Sequence, residues 1–192
     1  LSLVSLGQGG LLDVLYDNKQ IYISYSENRG DWKTSTSVAK GAFNEKNIKF
    51  KNIFRAEPPI DSGYHFGSRL VIKKNHLYIT AGERGEGMIA QDFRKHPGSI
   101  IRINVDGSIP KDNPKTLGYE DWLPEIYQIG LRNPQGMAIS PKDGKIYFSQ
   151  HGLSLSQLGL QCSNCSIRVL SVSKLGLSLS KLGPLYSCLK FV

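Results

Sequence analysis

Three stretches of this chain can be laid over one another, and that repetition limits what the chain can fold into more than any other feature. They are GLLDVLYDNKQIYISYS (residues 10–26), SRLVIKKNHLYITAG (68–82) and GMAISPKDGKIYFSQ (136–150). Each reads as a short apolar strand, a turn rich in Asn, Asp, Lys or Gly, and a second strand. The cores of the second strands are Ile21-Tyr22-Ile23-Ser24, Leu77-Tyr78-Ile79-Thr80 and Ile146-Tyr147-Phe148-Ser149. Tyr22 and Tyr78 are 56 residues apart and Tyr78 and Tyr147 are 69 apart, so the copies differ by insertions in their loops. Further strands are predicted over 37–43, 48–55, 99–105 and 125–129, all rich in β-branched and aromatic residues and bounded by Gly, Pro, Asn or Asp. Helical periodicity is absent.

Units of about four short strands, each burying its faces against its neighbours, are the sequence form of a β-propeller. The predicted fold class is therefore all-β, a partial β-propeller of two to three blades, against the roughly four to eight of a closed ring. The body of the chain, 1–152, reads as this one domain.

After His151 the composition changes. Residues 152–192 hold 11 Leu and 9 Ser among 41 residues, with SLSQLG, SVSKLG and SLSKLG recurring at 154, 171 and 178. Bias of this kind, without a single acid, reads as a low-complexity tail over 153–192, either frameshifted or disordered, with a genuine interaction tail as the alternative. The tail supplies four of the eight net positive charges; the rest of the chain balances 20 bases against 16 acids, so no nucleic-acid partner is expected. Cys162, Cys165 and Cys188 all lie in the tail, and the C-x-x-C has no second pair to complete four metal ligands. A body without cysteine suits an oxidising compartment. Residues 1–6 lack the basic flank and cleavage pattern of a signal peptide, and no apolar run reaches the roughly 18 residues of a membrane span.

The stretch GYHFGSRLVI (63–72) sets one histidine between glycines, directly ahead of a predicted buried strand. On the residues alone, His65 is either a loop residue or a base at the mouth of a sheet. His76 and His96 read as solvated loop residues, and Asp92, Asp106 and Asp112 as turn formers. The glycines of GERGEG precede no helix and no P-loop lysine, so phosphate binding is not expected.

The stretches GQGGLLDV (7–14), GYHFGSRLVI, AGERG (81–85), AQDFRKHPGSIIRINVDGSIPKDNP (90–114), PEIYQIGLRNPQGMAISP (124–141) and YFSQHG (147–152) occur in the order seen in the glucose/sorbosone dehydrogenase family. Over about residues 7–152 the chain resembles the front half of its soluble aldose sugar dehydrogenases. The resemblance implies a six-bladed propeller carrying pyrroloquinoline quinone and calcium, with an aldose as substrate, an external electron acceptor, and a periplasmic or secreted location. It implies His65 as general base, Arg132 beside the reactive quinone carbonyl, Asn133 as a second cofactor contact, and Gln8, with His65, as a sugar contact. The family's calcium-binding EHGP-like turn reads Gln150-His151-Gly152-Leu153 here, which leaves Gly152 as the candidate metal ligand and loses the proline. The family's Gly-Asp turn reads Gly82-Glu83. The implied reaction is oxidation of the anomeric hydroxyl to the lactone, the chain alone being an inactive fragment. The alternative is a non-catalytic propeller that binds carbohydrate or protein.

Overall fold

Asn18-Lys19 and Lys74-Asn75 reverse the chain within two residues each, and all four have φ between 46° and 60°. Paired left-handed residues make the primed turn whose twist matches its flanking strands. They close β1 (Leu11–Asp17) on β2 (Gln20–Asn28) and β5 (Gly67–Lys73) on β6 (His76–Ala81), with Asp17 opposite Gln20 and Lys73 opposite His76. β3 (Thr34–Ala42) and β4 (Lys51–Arg55) extend the first hairpin, and β7 (Ser99–Asn104) and β8 (Ile126–Gln128) the second. The two sheets are antiparallel meanders in the orders β1-β2-β3-β4 and β5-β6-β7-β8. β9 (Pro134–Ile139) and β10 (Ile146–His151) begin a third sheet, again antiparallel.

The computed structural model describes residues 1–114 and 120–152, and the backbone of 167–172. The last of these is β11 (Ile167–Val172), which runs parallel to β10, a pairing that the two complete meanders do not use. The three cysteines and the rest of the 153–192 segment lie outside the described residues. The partial propeller is thus two four-stranded blades and the start of a third. Among the described residues no helix is long and apolar enough to cross a membrane.

The sheets stack face to face, and β6 shows how. Leu77 and Ile79 point into a core shared with Tyr22, Val38 and Phe54 of the first sheet, whereas Tyr78 points into one shared with Met137, Ile146 and Phe148 of the third. This is the period-2 alternation of a strand buried on both faces. The first strands β1, β5 and β9 lie together along the inner edge: Arg69 of β5 donates to Asp13 Oδ1 of β1 at 2.9 Å and to the Gln135 carbonyl of β9 at 3.1 Å. The hydroxyls that end two of the repeated cores do the same from sheet to sheet. Ser24 Oγ donates to Ser68 O at 2.5 Å and Thr80 Oγ1 to Pro134 O at 2.8 Å, each reaching the first strand of the next sheet.

Three local readings change, the first being His76, which is not a solvated loop residue but the partly buried first residue of β6, its Nε2 3.2 Å from Arg102 Nη2. β3 begins at Thr34, three residues before the predicted segment, because Thr34-Ser35-Thr36 carries no apolar signal although all three are buried. His96 is not solvated: it is 3% exposed and edge-on to Phe54. Its Nδ1 accepts the Glu57 N–H at 2.8 Å and its Nε2 faces Glu125 Oε1 at 2.9 Å, so it ties the exit of the first sheet to the second. A backbone amide needing an acceptor 39 residues away leaves no trace in local sequence.

Candidate active site

Gln8, His65 and Asn133 hold equivalent places in the three repeats, just ahead of β1, β5 and β9. The stacking of the sheets therefore brings them to one end of the inner strands. His65 is left-handed, with φ 49°, an uncommon conformation for a residue with a Cβ. Glycines on both sides allow the chain to close around it. A Cβ at Gly82 would stand 2.1 Å from His65 O, and one at Gly67 would stand 2.8 Å from Gly82 N. The His65 loop is thus pressed against the turn that follows β6.

That turn carries Glu83, which is 3% exposed. His65 Nδ1 lies 2.9 and 2.8 Å from its two carboxylate oxygens, and the Gly85 N–H donates to Oε2 at 3.0 Å. An ionised carboxylate only accepts, so Nδ1 carries the proton, and in the neutral ring Nε2 keeps its lone pair. Gln8 Oε1 accepts the His65 N–H at 2.9 Å while the Gln8 N–H donates to Gly63 O at 2.7 Å.

Arg132 approaches from the third sheet. Its Nε is 3.9 Å from Glu83 Oε1, and its Nη1 donates to His151 Nδ1 at 3.1 Å and to His151 O at 3.2 Å. The Glu83 N–H donates to Arg132 O at 2.8 Å and the His151 N–H to Asn133 O at 3.0 Å, so the three segments share one backbone network. Gly152, with φ 86°, lies against the guanidinium: a Cβ there would come within 2.8 Å of Arg132 Cδ and Nη1. Asn133 is buried, and its Oδ1 accepts the Gly67 N–H at 3.1 Å, bracing the His65 loop. Gln150 is also buried; its Oε1 accepts the Arg132 N–H at 3.0 Å and its Nε2 has no partner among the described residues.

Gln8, His65, Arg132, Asn133 and Gly152 are therefore joined by direct contacts or through one intervening residue. Glu83, noted in the sequence merely as a variant of a Gly-Asp turn, is the residue that joins the imidazole to the guanidinium. Its signal was a carboxylate directly after the glycine of AGERG. The donor set fits a polyanionic quinone, since Arg132 is a fixed cation with a side chain 32% exposed. Among the described residues no three His, Cys, Asp or Glu side chains gather as a metal site, and a hard cation held by backbone carbonyls requires none.

A family profile described as Glucose / Sorbosone dehydrogenase matches residues 2–155. The Aldose sugar dehydrogenase YliI of Escherichia coli is 40% identical over 157 residues, covering 76% of this chain and 42% of that protein. Quinoprotein glucose dehydrogenase B of Acinetobacter calcoaceticus is 32% identical over 182 residues, covering 76% of this chain and 36% of its own length. The crystal structure of the soluble aldose sugar dehydrogenase of Escherichia coli in its apo-form superposes with a TM-score of 0.75 at 37% identity, over 79% of this chain and 46% of the other. The chain spans less than half the length of the relatives it matches.

Proposed function

This chain belongs to the glucose/sorbosone dehydrogenase family, and we propose that it forms the base-bearing part of an aldose dehydrogenase that works with pyrroloquinoline quinone and calcium. The observation that carries the reading is the buried Glu83 set on His65 Nδ1 with Arg132 alongside. The relatives named for aldose sugar and for a quinoprotein support the substrate and cofactor classes.

A bound quinone would supply the hydride acceptor for the anomeric carbon. His65 Nε2 takes the proton of the anomeric hydroxyl, so the sugar leaves as the lactone. Glu83 holds the ring in the tautomer that exposes Nε2 and stabilises the imidazolium that forms. Arg132 supplies a permanent cation against negative charge developing on the cofactor side, and Asn133 fixes the loop between the two. The Gly152 carbonyl is the proposed oxygen ligand for calcium, and Gln8 the proposed sugar contact. An external electron acceptor is the proposed partner, and the proposed location is periplasmic or secreted. A purely binding propeller would have no use for an imidazole whose ring is fixed by a buried carboxylate.

The test is a chimera in which residues 1–152 continue into the remaining blades of the Escherichia coli relative. With quinone and calcium it should reduce dye at the expense of an aldose. His65→Gln should lower turnover by about a hundredfold or more while quinone affinity, read by fluorescence titration, stays nearly unchanged. Near-normal turnover in that variant, or loss of cofactor and activity together, would make His65 structural.

A further inference from the structure

The peptide between Tyr64 and His65 is held at both of its polar atoms. Its N–H donates to Gln8 Oε1 at 2.9 Å, and its carbonyl accepts the Nε–H of Arg84 at 2.8 Å. A peptide plane fixed in this way keeps the His65 backbone at φ 49°, a strained conformation that persists where its surroundings over-determine it. Arg84 is 3% exposed, and three more of its five N–H donors are used in the same manner. Nη1 donates to Thr34 O at 2.9 Å, and Nη2 to Thr34 Oγ1 at 2.7 Å and to Ser62 O. The guanidinium carbon lies 3.7 Å from the centroid of the Phe66 ring.

Arg84 thus grips the loop on both sides of His65 and anchors it to β3. Among the described residues it has no ion pair with a carboxylate, since its neighbour Glu83 is turned to His65. Burial opposes its charge and Glu83 favours it, leaving its pKa pulled down to about 10. A buried cation kept without a paired anion is costly unless hydrogen bonds offset its burial, and the planar fork of arginine reaches these four acceptors at once where an ammonium, with three donors, does not.

We propose that Arg84 is a positioning residue for the base: it fixes the 64–65 peptide, and through it the left-handed His65 that places the imidazole on Glu83. The consequence for turnover rests on reading His65 as the base; the clamp itself does not.

The test uses NMR of the 192-residue chain. In long-range 1H–15N imidazole spectra at alkaline pH, the unmodified chain should show His65 protonated at Nδ1. Arg84→Lys should convert it to a mixture with the Nε2–H tautomer and speed exchange of the His65 amide by at least about tenfold, with the β6 and β7 amides unchanged. An unaltered tautomer and exchange rate would overturn the proposal. If Arg84→Lys loosens β6 and β7 as well, Thr34→Val and the double variant decide, because Thr34 Oγ1 both accepts from Arg84 and donates to Ser62 O at 2.9 Å. Changes at His65 that are not additive in the double variant support the clamp, and additive ones overturn it. In the chimera, Arg84→Lys should lower kcat more than it raises KM. If His65→Gln leaves turnover intact while the tautomer change persists in Arg84→Lys, the base assignment fails and the clamp stands.

Discussion

Glu83 is where residue-level reading of the sequence and the folded chain differ most. A motif can mark His65 by the glycines around it, but the carboxylate that orients a ring is chosen by how two loops close, here through Gly67 and Gly82. Gln8, His65 and Arg132 could be singled out in the sequence because a family pattern brackets each of them. Arg84 could not, since three of its four acceptors are backbone carbonyls, and any residue type supplies a carbonyl. The orienting role predicts that Glu83→Gln in the chimera lowers turnover by at least about a hundredfold, because a neutral amide neither fixes the tautomer nor stabilises the imidazolium. Steady-state dye reduction checks this, and a loss equal to that of a remote surface substitution would remove Glu83 from the site.

The strands themselves were largely readable, because alternation, β-branching and turn chemistry agree along β1, β2, β5, β6, β9 and β10. Polarity hid the start of β3, and the tertiary bond of His96 hid its burial. The hydroxyl closing each repeated core was visible as a repeat, but its use as a sheet-to-sheet bond required the stack. Ser24 and Thr80 are both fully buried, so Ser24→Ala and Thr80→Val should each cost about 1–3 kcal/mol by leaving a buried carbonyl unpaired. Ser149 holds the third position and makes no corresponding bond among the described residues, so Ser149→Ala should stay within about 0.5 kcal/mol. Urea unfolding of the three variants compares them directly, and equal losses would mean the hydroxyls do not act between sheets.

At the scale of the whole molecule, two carboxylates, buried Glu27 and partly buried Glu125, link the response of the fold to acid. Burial alone would raise Glu27, but hydrogen bonds from Arg55 and Ser37 outweigh it and hold the carboxyl below its ordinary range. Glu125 is likewise held low, its burial outweighed by the bond to His96. A depressed folded-state pKa gives stability that is complete above the unfolded value near about 4.3 and disappears as pH falls through the folded one. The urea midpoint should therefore drop between about pH 5 and pH 3, and Glu27→Gln should flatten part of that drop while lowering the midpoint at neutral pH. An unchanged slope would show that Glu27 does not contribute. The 192-residue chain by itself is expected not to reduce dye with quinone and calcium, since two four-stranded sheets and the start of a third, among the described residues, leave sheet edges unpaired and do not close a propeller; turnover by the purified chain would refute this. The placing of Gln8, His65 and Asn133 at equivalent points ahead of three successive inner strands has a consequence for transplanting the chemistry. The second sheet, lifted into another scaffold, would bring the imidazole together with Glu83 and Arg84. It would leave behind Gln8, which holds the other end of the 64–65 peptide, and Arg132, which supplies the cation. A working graft has to span three consecutive repeats in register, so the natural unit of exchange for this site is larger than the unit of repetition of its fold.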